Sequence, residues 1–315
     1  MGDQPQFRPC PVCATQEGEK HWSKGPQQLV QCPRCSMIYI CPVSPECASG
    51  AFYAQRAFYV SPAKLKSDYS AVRFERELRL FRAWCPEGTV LDVGCSNGAF
   101  LHQLNSRFPG AYNVLGQDVA GLALNYAESR GVPVCRDSFL ELDVGKRRFD
   151  AITFWAVLEH LEEPRAFLSR AAEMLRPGGH CFILTPNFQS LAVRLLGKRY
   201  RYIMPEHLNY FTPRTLAAFG ANHDKFQVVA AGSMHFNPMV IWQDFFWSQR
   251  LHVPDEERAQ LLQRTTAWKQ RRAFAPLRAL YSVIESVLGT FDLADNIYIV
   301  LRRSGEGSSS AGSLG

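Results

Sequence analysis

Short apolar runs alternate with longer amphipathic stretches over most of this chain. The runs expected to form strands are residues 90–93, 113–117, 132–135, 149–154 and 180–184. Glycine, proline or polar residues bound each run, and stretches with helical periodicity separate them. Apolar runs of this length are typical of strands that are buried on both faces of a parallel sheet. The pattern therefore predicts an α/β fold with a doubly wound, Rossmann-like sheet.

A glycine turn follows the first of these strands. Asp92, Gly94 and Gly98 form a D-x-G-x-x-x-G pattern between the strand and the start of a helix. Glycine permits a tight turn and lets a ligand approach the main chain closely. The pattern differs from the G-x-G-x-x-G of dehydrogenases, and the acid suits the amino group of a methionine-type ligand better than a pyrophosphate. We expect a nucleoside cofactor here; a turn that serves packing alone is the alternative.

Polar residues end the following strands, at an edge that parallel strands share. Asp118 ends the second strand, where an acid can bind both ribose hydroxyls. Asp137 and Ser138 follow the third strand, where a carboxylate can accept a hydrogen bond from an adenine amine. The residues expected to bind the cofactor are Asp92, Gly94, Cys95, Ser96, Gly98, Phe100, Asp118, Val119, Asp137, Ser138 and Trp155.

These motifs resemble those of the class I S-adenosylmethionine-dependent methyltransferases. VLDVGCSNGAFL, GQDVA, FDAITFWAVLEHLEEP and RPGGHCFILTPN occur in the family's order within about residues 88–302. Residues 158–161 are most similar to the branch that includes the ubiquinone-type O-methyltransferases. The resemblance implies S-adenosylmethionine as cofactor and a seven-stranded sheet of order 3-2-1-4-5-7-6 with an antiparallel last strand. Residues 226–231 and 296–301 fit the sixth and seventh strands.

The first 50 residues contain a C-x2-C-x18-C-x2-C pattern. It is formed by Cys10, Cys13, Cys32 and Cys35. Two cysteine pairs at such spacing are typical of tetrahedral zinc, and residues 28–31 fit a strand of a zinc ribbon. Because all four ligands are cysteines, the Zn²⁺ is expected to be structural. Such a ribbon before the domain, together with the His-Leu-x-Tyr-Phe-Thr element at residues 207–212, resembles a bacterial group of small-molecule methyltransferases.

Residues 51–87 are expected to link the ribbon to a methyltransferase domain at residues 88–303. A helix is predicted to begin at Ser61-Pro62 and to continue at helical spacing toward Trp84. Helices before the first strand commonly close over the cofactor in the resembled family. Tyr53 and Tyr69 are therefore candidates to contact the methionine end of the cofactor, with a core or interface position as the alternative.

Two histidines are candidates for a general base. His160 follows the fourth strand, and His207 lies in residues 188–212, a segment too long for a simple connection and expected to be an acceptor lid. Histidine is the side chain best suited to accept a proton near neutral pH. The family resemblance also leaves His160 a role in shaping the cofactor pocket without proton transfer.

Residues 237–292 are expected to form a helical insertion between the last two strands. Helices are predicted at residues 255–272 and 274–288. Before them lies an aromatic group that indicates either an acceptor-pocket wall or a homodimer interface: Trp242, Phe245, Phe246 and Trp247. The Ser- and Gly-rich residues 304–315 are expected to be a disordered tail.

Composition adds limits to this interpretation. The sequence lacks both an apolar stretch of the ~18 residues that span a membrane and an apolar N-terminal signal core, so no membrane association and a cytoplasmic location are expected. Ten cysteines in such a chain indicate reduced thiols or metal ligands. The net charge of +6 is too mild to indicate nucleic acid by itself.

The expected activity is methyl transfer to a small molecule, at an oxygen of a sugar, polyketide or other metabolite, free or bound to a carrier protein. One alternative is an RNA base methyltransferase that resembles the zinc-ribbon rRNA guanine methyltransferases. The interleaved basic and aromatic residues 198–202 fit that alternative, but they also fit a solvated loop or a clamp for an acidic small molecule, and a dense basic face is missing. The other alternative is a non-catalytic zinc-ribbon adaptor with a degenerate cofactor domain, which the intact Asp92 and Asp118 disfavour.

Overall fold

The computed structural model describes residues 8–44, 53, 56–247, 254–270 and 275–305, and it contains two β-sheets. The strands are β1 (Glu19–Lys24), β2 (Gln27–Gln31), β3 (Ile38–Ile40), β4 (Gly88–Val93), β5 (Tyr112–Gln117), β6 (Val134–Cys135), β7 (Phe149–Trp155), β8 (Leu175–Pro186), β9 (Asn209–Tyr210), β10 (Phe226–Met234) and β11 (Asn296–Arg303).

The helices are α1 (Pro62–Asp68), α2 (Glu75–Trp84), α3 (Ala99–Arg107), α4 (Gly121–Ser129), α5 (Pro164–Met174), α6 (Leu191–Leu196), α7 (Pro213–Ala221), α8 (Pro238–Trp247), α9 (Asp255–Gln270) and α10 (Ala275–Thr290). Short 3₁₀ turns lie at Ala57–Val60, Leu158–His160 and Gly197–Arg199. No helix within the described ranges is long and apolar enough to cross a membrane.

The larger sheet has the strand order β10-β11-β8-β7-β4-β5-β6. β11 runs antiparallel to both of its neighbours, and the pairs β4–β5, β4–β7, β5–β6 and β7–β8 are parallel. This confirms the predicted order 3-2-1-4-5-7-6 and the antiparallel last strand. β8 begins at Leu175, five residues before the predicted start, so the Arg-Pro-Gly-Gly segment belongs to the strand. Gly179 permits this because a Cβ there would lie 3.1 Å from the Asp150 carbonyl oxygen.

Apolar side chains cover both faces of this sheet, which explains the continuous apolar runs. On one face, Phe81 of α2 and Leu101 of α3 pack with Phe182. On the other, helices α5 and α7 pack against residues of the central strands such as Ile152. Burial of each large side chain contributes roughly 1.5–3 kcal/mol, so these layers fix the position of the strand ends.

The helix predicted to run from Pro62 toward Trp84 is interrupted. It begins after Ser61 as predicted, but α1 ends at Asp68 and α2 starts at Glu75. Phe74 has a left-handed backbone with φ of 64°, which ends any continuous helical path. The uninterrupted helix was therefore a wrong prediction. The break lets Asp68 turn inward, while Leu78 and Phe81 of α2 still pack on the sheet.

The smaller sheet has the order β1-β2-β3-β9 and joins the N-terminal segment to residues 188–212. β3 pairs with β9 antiparallel, with Tyr39 opposite Asn209. The buried Arg8 side chain donates hydrogen bonds to the carbonyl oxygens of Ile40, Leu208 and Glu162. Backbone pairing therefore holds these N-terminal strands on the lid segment, a connection that local sequence patterns do not indicate.

The insertion forms three helices, α8 to α10, of which α9 packs on α1. The two helices predicted at residues 255–272 and 274–288 are present as α9 and α10, although residues 271–274 lie outside the described ranges. Most of the expected disordered tail, residues 306–315, also lies outside them.

Candidate active site

A cavity of about 1270 Å³ lies at the carboxyl edge of the larger sheet. Its wall includes the glycine turn after β4, the segment after β7, the lid segment and the insertion helices. Typical small-molecule sites have about 300–1,000 Å³, so this cavity has room for a cofactor and a second molecule. Its position is the one at which open α/β sheets bind ligands.

Asp118 lies at one end of the cavity with a fixed carboxylate. Oδ2 accepts a hydrogen bond from the Ser96 backbone amide at 2.7 Å, and Oδ1 accepts from the amides of Val119 and Ala120 at 2.7 and 2.9 Å. Burial raises the pKa of Asp118, and these amides oppose that shift. A carboxylate has about four acceptor positions, so capacity for a ribose hydroxyl remains.

The glycine turn lies beside Asp118 and brings the main chain close to its neighbours. Gly94 has φ of 70°, and a Cβ there would lie 2.6 Å from Val157 Cγ2. Asp92 is buried and accepts a hydrogen bond from Thr153 Oγ1 at 2.6 Å. Burial raises the pKa of Asp92 to about 7, against the effect of Thr153. The turn is thus tightly packed, and a side chain at Gly94 would force Val157 to move.

Ten of the residues expected at the cofactor site line the cavity. They are Tyr53, Asp92, Gly94, Cys95, Ser96, Phe100, Asp118, Val119, Ser138 and Trp155. Two polar groups among them, Ser96 Oγ and Trp155 Nε1, are buried without a hydrogen-bond partner within the described residues. Such groups are available to a ligand.

Gly98, Asp137 and Tyr69 are not among the residues that line the cavity. Gly98 precedes α3, and a Cβ there would lie 2.8 Å from Ala127 Cβ. The Asp137 carboxylate accepts from Cys135 Sγ at 3.2 Å. Tyr69 donates to the Asn97 carbonyl oxygen at 2.6 Å. Their assignment to the cofactor site stays a prediction, and the contacts that the structure shows for them are with neighbouring residues of the turn and strand ends.

Sequence reasoning missed the charged residues that α1 and the following break bring to the wall. Asp68 accepts from Lys64 Nζ at 2.5 Å and from Asn97 Nδ2 at 2.9 Å, and Arg73 Nε lies 3.8 Å from its Oδ1. Charged residues on an amphipathic helix usually face solvent, so their helical spacing gave no signal. The left-handed residue after Arg73 turns this cluster toward the cofactor turn.

His160 and His207 lie together in the middle part of the cavity wall. Their ring centroids are 4.7 Å apart in an edge-to-face arrangement. His160 Nδ1 lies 2.8 Å from the Glu206 carbonyl oxygen and 2.8 Å from the Tyr53 hydroxyl. Because a carbonyl oxygen only accepts, Nδ1 carries the proton and Nε2 keeps its lone pair. Burial lowers the pKa of His160 to about 4, and burial and the adjacent His160 lower that of His207.

Glu159 is the third titratable group at this place. Glu159, His160 and His207 offer atoms within 4.8 Å of one another that could hold a metal ion. Burial raises the pKa of Glu159 to about 8, so the acid is largely protonated at neutral pH. Two neutral imidazoles and a protonated acid give the cluster little charge.

Hydrogen bonds hold the two histidine-bearing segments together. The Leu208 amide donates to the Glu159 carbonyl oxygen at 2.6 Å. Asn209 Nδ2 donates to the carbonyl oxygens of Leu158 and Leu161, both at 2.7 Å. Since Asn209 belongs to β9, the pairing of β9 with β3 also positions His207 against His160.

In the basic and aromatic run at residues 198–202, Lys198 and Arg199 are exposed, whereas Arg201 is held in a buried ion pair. Arg201 Nη2 lies 2.6 Å from Asp244 Oδ1, and both side chains are buried. Tyr200 and Tyr202 line the cavity. This arrangement counts against RNA binding at Arg201.

The aromatic group of the insertion faces solvent where it is described. Trp242, Phe245 and Phe246 are more than half exposed, whereas Met239 and Val240 at the start of α8 line the cavity. The side chain of Trp247 lies outside the description. The start of α8 is thus the part that meets the pocket.

The four N-terminal cysteines have the geometry of a metal site. Cys10 and Cys35 have their sulfurs 3.5 Å apart, as do Cys13 and Cys32, and all four sulfurs lie within 4.8 Å of one another. Sulfurs on a zinc tetrahedron with bonds of about 2.3 Å lie about 3.8 Å apart. The donor set therefore fits Zn²⁺.

Comparison with known proteins identifies the family. A family model described as a methyltransferase domain matches residues 69–229, which is more than half of the chain. The chain therefore belongs to this family and is a class I S-adenosylmethionine-dependent methyltransferase. The match ends before the insertion helices.

Curated relatives include ubiquinone biosynthesis O-methyltransferases. That of Coxiella burnetii is 26% identical over 161 residues, 48% of this chain and 68% of the relative. That of Cupriavidus pinatubonensis is 29% identical over 164 residues, 48% of this chain and 64% of the relative. This chain thus matches about two thirds of their length.

Solved structures of methyltransferases also match. The N-methyltransferase NodS of Bradyrhizobium japonicum with S-adenosyl-L-homocysteine is 14% identical, covers 82% of this chain and 97% of its own, and has a TM-score of 0.46. An amino pentose methyltransferase of Micromonospora echinaspora is 31% identical over 34% of this chain and 47% of its own, with a TM-score of 0.31.

We predict that the His160 imidazole stays neutral throughout the range from pH 8 to pH 5, because its burial lowers the pKa to about 4. NMR of histidine-labelled protein, with the signal assigned by its loss in His160→Gln, measures this pKa directly. A titration midpoint at or above the ordinary value of about 6.5 would contradict the burial seen here.

Proposed function

We propose that this protein transfers the methyl group of S-adenosylmethionine to a hydroxyl oxygen of a small-molecule acceptor. One observation carries the proposal: a single cavity joins the Asp118 end of the sheet to two neutral, adjacent histidines. The cavity thus offers room for a cofactor and a proton acceptor within one continuous volume. The O-methyltransferase names of the relatives in ubiquinone biosynthesis support oxygen as the receiving atom.

The proposed cofactor site uses residues on adjacent strand ends. Asp118 would bind the ribose hydroxyls, and Ser138 lies where the adenine end is expected. Asp92 and Arg73 would bind the methionine part, the acid near its amino group and the guanidinium near its carboxylate. When bound, S-adenosylmethionine supplies an electrophilic methyl group. The unpartnered Ser96 Oγ fits a polar ligand at this position.

The histidine pair is the proposed site of proton removal from the acceptor. A neutral imidazole accepts a proton, and a general base typically raises the rate by ~10²–10⁴-fold. We assign the base to His207 first, because it lies on the lid segment that covers the cavity, with His160 as the second candidate. The protonated Nδ1 of His160 faces both the Glu206 carbonyl oxygen and the Tyr53 hydroxyl oxygen, each at 2.8 Å, and these contacts orient the ring. Fixed positions of cofactor and acceptor can supply about 7–11 kcal/mol of the barrier.

The proposed role of the ribbon is to hold the lid. Cys10, Cys13, Cys32 and Cys35 would hold a structural Zn²⁺, which fixes the knuckles on either side of β1 and β2. β3 follows the second knuckle and pairs with β9 of the lid. A metal here therefore stabilises the histidine pair from a distance without contact with the acceptor.

Replacement of Asp118 by Ala should weaken S-adenosylhomocysteine binding by about 10- to 100-fold, since hydrogen bonds to a charged group contribute roughly 1.5–3 kcal/mol. Isothermal titration measures this affinity. Asp224→Asn, a change of a highly exposed acid, serves as the control and should leave the affinity within about twofold. Equal affinities in the wild type and Asp118→Ala would refute the ribose assignment.

Replacement of His207 by Asn should lower kcat about 100-fold while S-adenosylhomocysteine affinity stays within about twofold. Transfer from methyl-labelled S-adenosylmethionine to a panel of phenols, catechols and sugars, followed by mass spectrometry of the products, provides the assay. A parallel loss of turnover and cofactor affinity would show that His207 supports the fold and does not remove a proton.

A further inference from the structure

Several buried carboxyl oxygens on the cavity wall have no hydrogen-bond partner among the described residues. Within the described part of the chain, the buried oxygens of this kind on the wall are Asp68 Oδ1, Glu77 Oε2, Glu159 Oε2, Glu206 Oε2, Glu285 Oε1 and Asp295 Oδ1. An unpartnered buried acceptor costs about 1–3 kcal/mol, and more when it is charged. Apart from Glu159, which is largely protonated at neutral pH and can itself donate, these groups are acceptors, so the wall favours a ligand rich in hydrogen-bond donors.

Three of these carboxylates meet at one end of the cavity, around His235. Glu77 comes from α2, Glu285 from α10, and Asp295 directly precedes β11. Their exposures are 2%, 3% and 9%, so solvent does not satisfy them. We call these three residues the acidic cluster.

Each member of the acidic cluster uses one oxygen for contacts within the protein, and its other oxygen is buried without a hydrogen-bond partner among the described residues. Glu77 Oε1 lies 3.0 Å from His235 Nε2 and 3.6 Å from Arg73 Nη1, whereas its Oε2 has no described partner. Glu77 is thus held in place through one side of its carboxylate.

Glu285 and Asp295 repeat this arrangement. Glu285 Oε2 lies 2.6 Å from Arg76 Nη2, while its Oε1 is 4.0 Å from His235 Nδ1, too far for a hydrogen bond. Asp295 Oδ2 accepts from the Asn237 amide at 2.7 Å, and its Oδ1 has no described partner. Each of the three carboxylates is therefore held in place and has one oxygen without a hydrogen-bond partner among the described residues.

Asp295 of the acidic cluster lies on the side of the cavity away from Asp118, whereas Glu77 contacts Arg73, the residue proposed to bind the methionine carboxylate. Along the carboxyl edge, β4, β7 and β8 separate β5, which carries Asp118, from β11, which follows Asp295. Strands are about 4.8 Å apart, so β5 and β11 are roughly 19 Å apart. A cofactor whose ribose binds Asp118 would place its methionine part near β4 and β7, before it reaches Asp295.

We propose that the acidic cluster binds a protonated amine of the methyl acceptor, so that the substrate class is amino-bearing hydroxyl compounds such as amino sugars or aryl amines. Ionised carboxylates only accept hydrogen bonds, and a charged donor satisfies them about twice as strongly as a neutral one. An ammonium group has no lone pair, so it anchors the acceptor while a hydroxyl near the histidines receives the methyl group. This inference rests on the proposed function and specifies its substrate.

The test compares amines with neutral molecules of the same shape on wild-type protein saturated with S-adenosylhomocysteine. The pairs are tyramine with 4-ethylphenol, benzylamine with benzyl alcohol, and glucosamine with glucose, measured by isothermal titration or ligand-observed NMR. We expect tyramine to bind at least 10-fold more tightly than 4-ethylphenol. If no amine of the panel binds more tightly than its neutral counterpart, the inference is overturned.

Single-residue variants test whether the acidic cluster causes the preference for amines. Glu285→Gln keeps the side-chain shape and should reduce the tyramine preference about 10-fold without changing the binding of 4-ethylphenol. Glu173→Gln, on the exposed surface of α5 beside Arg170, is the matched control and should keep the preference. A preference that survives Glu285→Gln in folded protein, as judged by circular dichroism, would overturn the assignment to this cluster.

Titration of S-adenosylhomocysteine on the same samples separates the two proposals. If wild-type protein does not bind it, the proposed function itself fails. If wild type binds it but Glu285→Gln weakens that binding as much as the tyramine binding, the acidic cluster serves the cofactor, and the amine inference is wrong.

Discussion

The antiparallel pairing of β3 with β9 is the constraint on which the arrangement of the histidines depends. Two residue pairs make this contact, and the buried Arg8 side chain strengthens it with hydrogen bonds to both strands' backbones and to Asn209 Oδ1. The Asn209 side chain also donates a hydrogen bond to the carbonyl oxygen of Leu158, in the 3₁₀ turn that contains His160. Loss of the pairing would leave several buried backbone groups unsatisfied, at about 1–3 kcal/mol each. His207 therefore owes its position to a segment almost 170 residues earlier in the chain.

Burial changes the protonation state of several groups that line the cavity. Burial lowers the pKa values of the two histidines and raises those of Glu159 and Asp92, so the histidines and Glu159 are largely uncharged at neutral pH. Charged groups line the cavity at Asp118, at the acidic cluster, and beside the histidines at Glu206, which is ion-paired with Arg56 and Arg258. Neutral imidazoles suit proton removal, and fixed carboxylates suit ligand recognition. The sheet order keeps these tasks at separate strand ends.

Local patterns were sufficient for the features that depend on neighbouring residues. The glycine turn, Asp118, and the cysteine spacing belong to this group, because strand, turn and acid follow one another directly. Local patterns could not predict contacts between distant elements. β9 pairs with a strand of the N-terminal segment, and Glu285 of the insertion lines the cavity. The family resemblance made Tyr69 a candidate for cofactor contact, with a core position as the alternative, and its hydroxyl donates to the Asn97 carbonyl oxygen, a contact that helical spacing could not predict.

We propose that a metal-bound ribbon fixes the histidine pair, and Cys32→Ser tests this proposal most directly. Metal analysis should find about one Zn²⁺ per chain in the wild type and in Cys135→Ser, a cysteine control outside the ribbon, but not in Cys32→Ser. In the metal-free variant, NMR should show the His160 pKa rising from about 4 toward its ordinary value, while S-adenosylhomocysteine still binds. Wild-type protein without zinc, or an unchanged His160 pKa after zinc loss, would contradict the account.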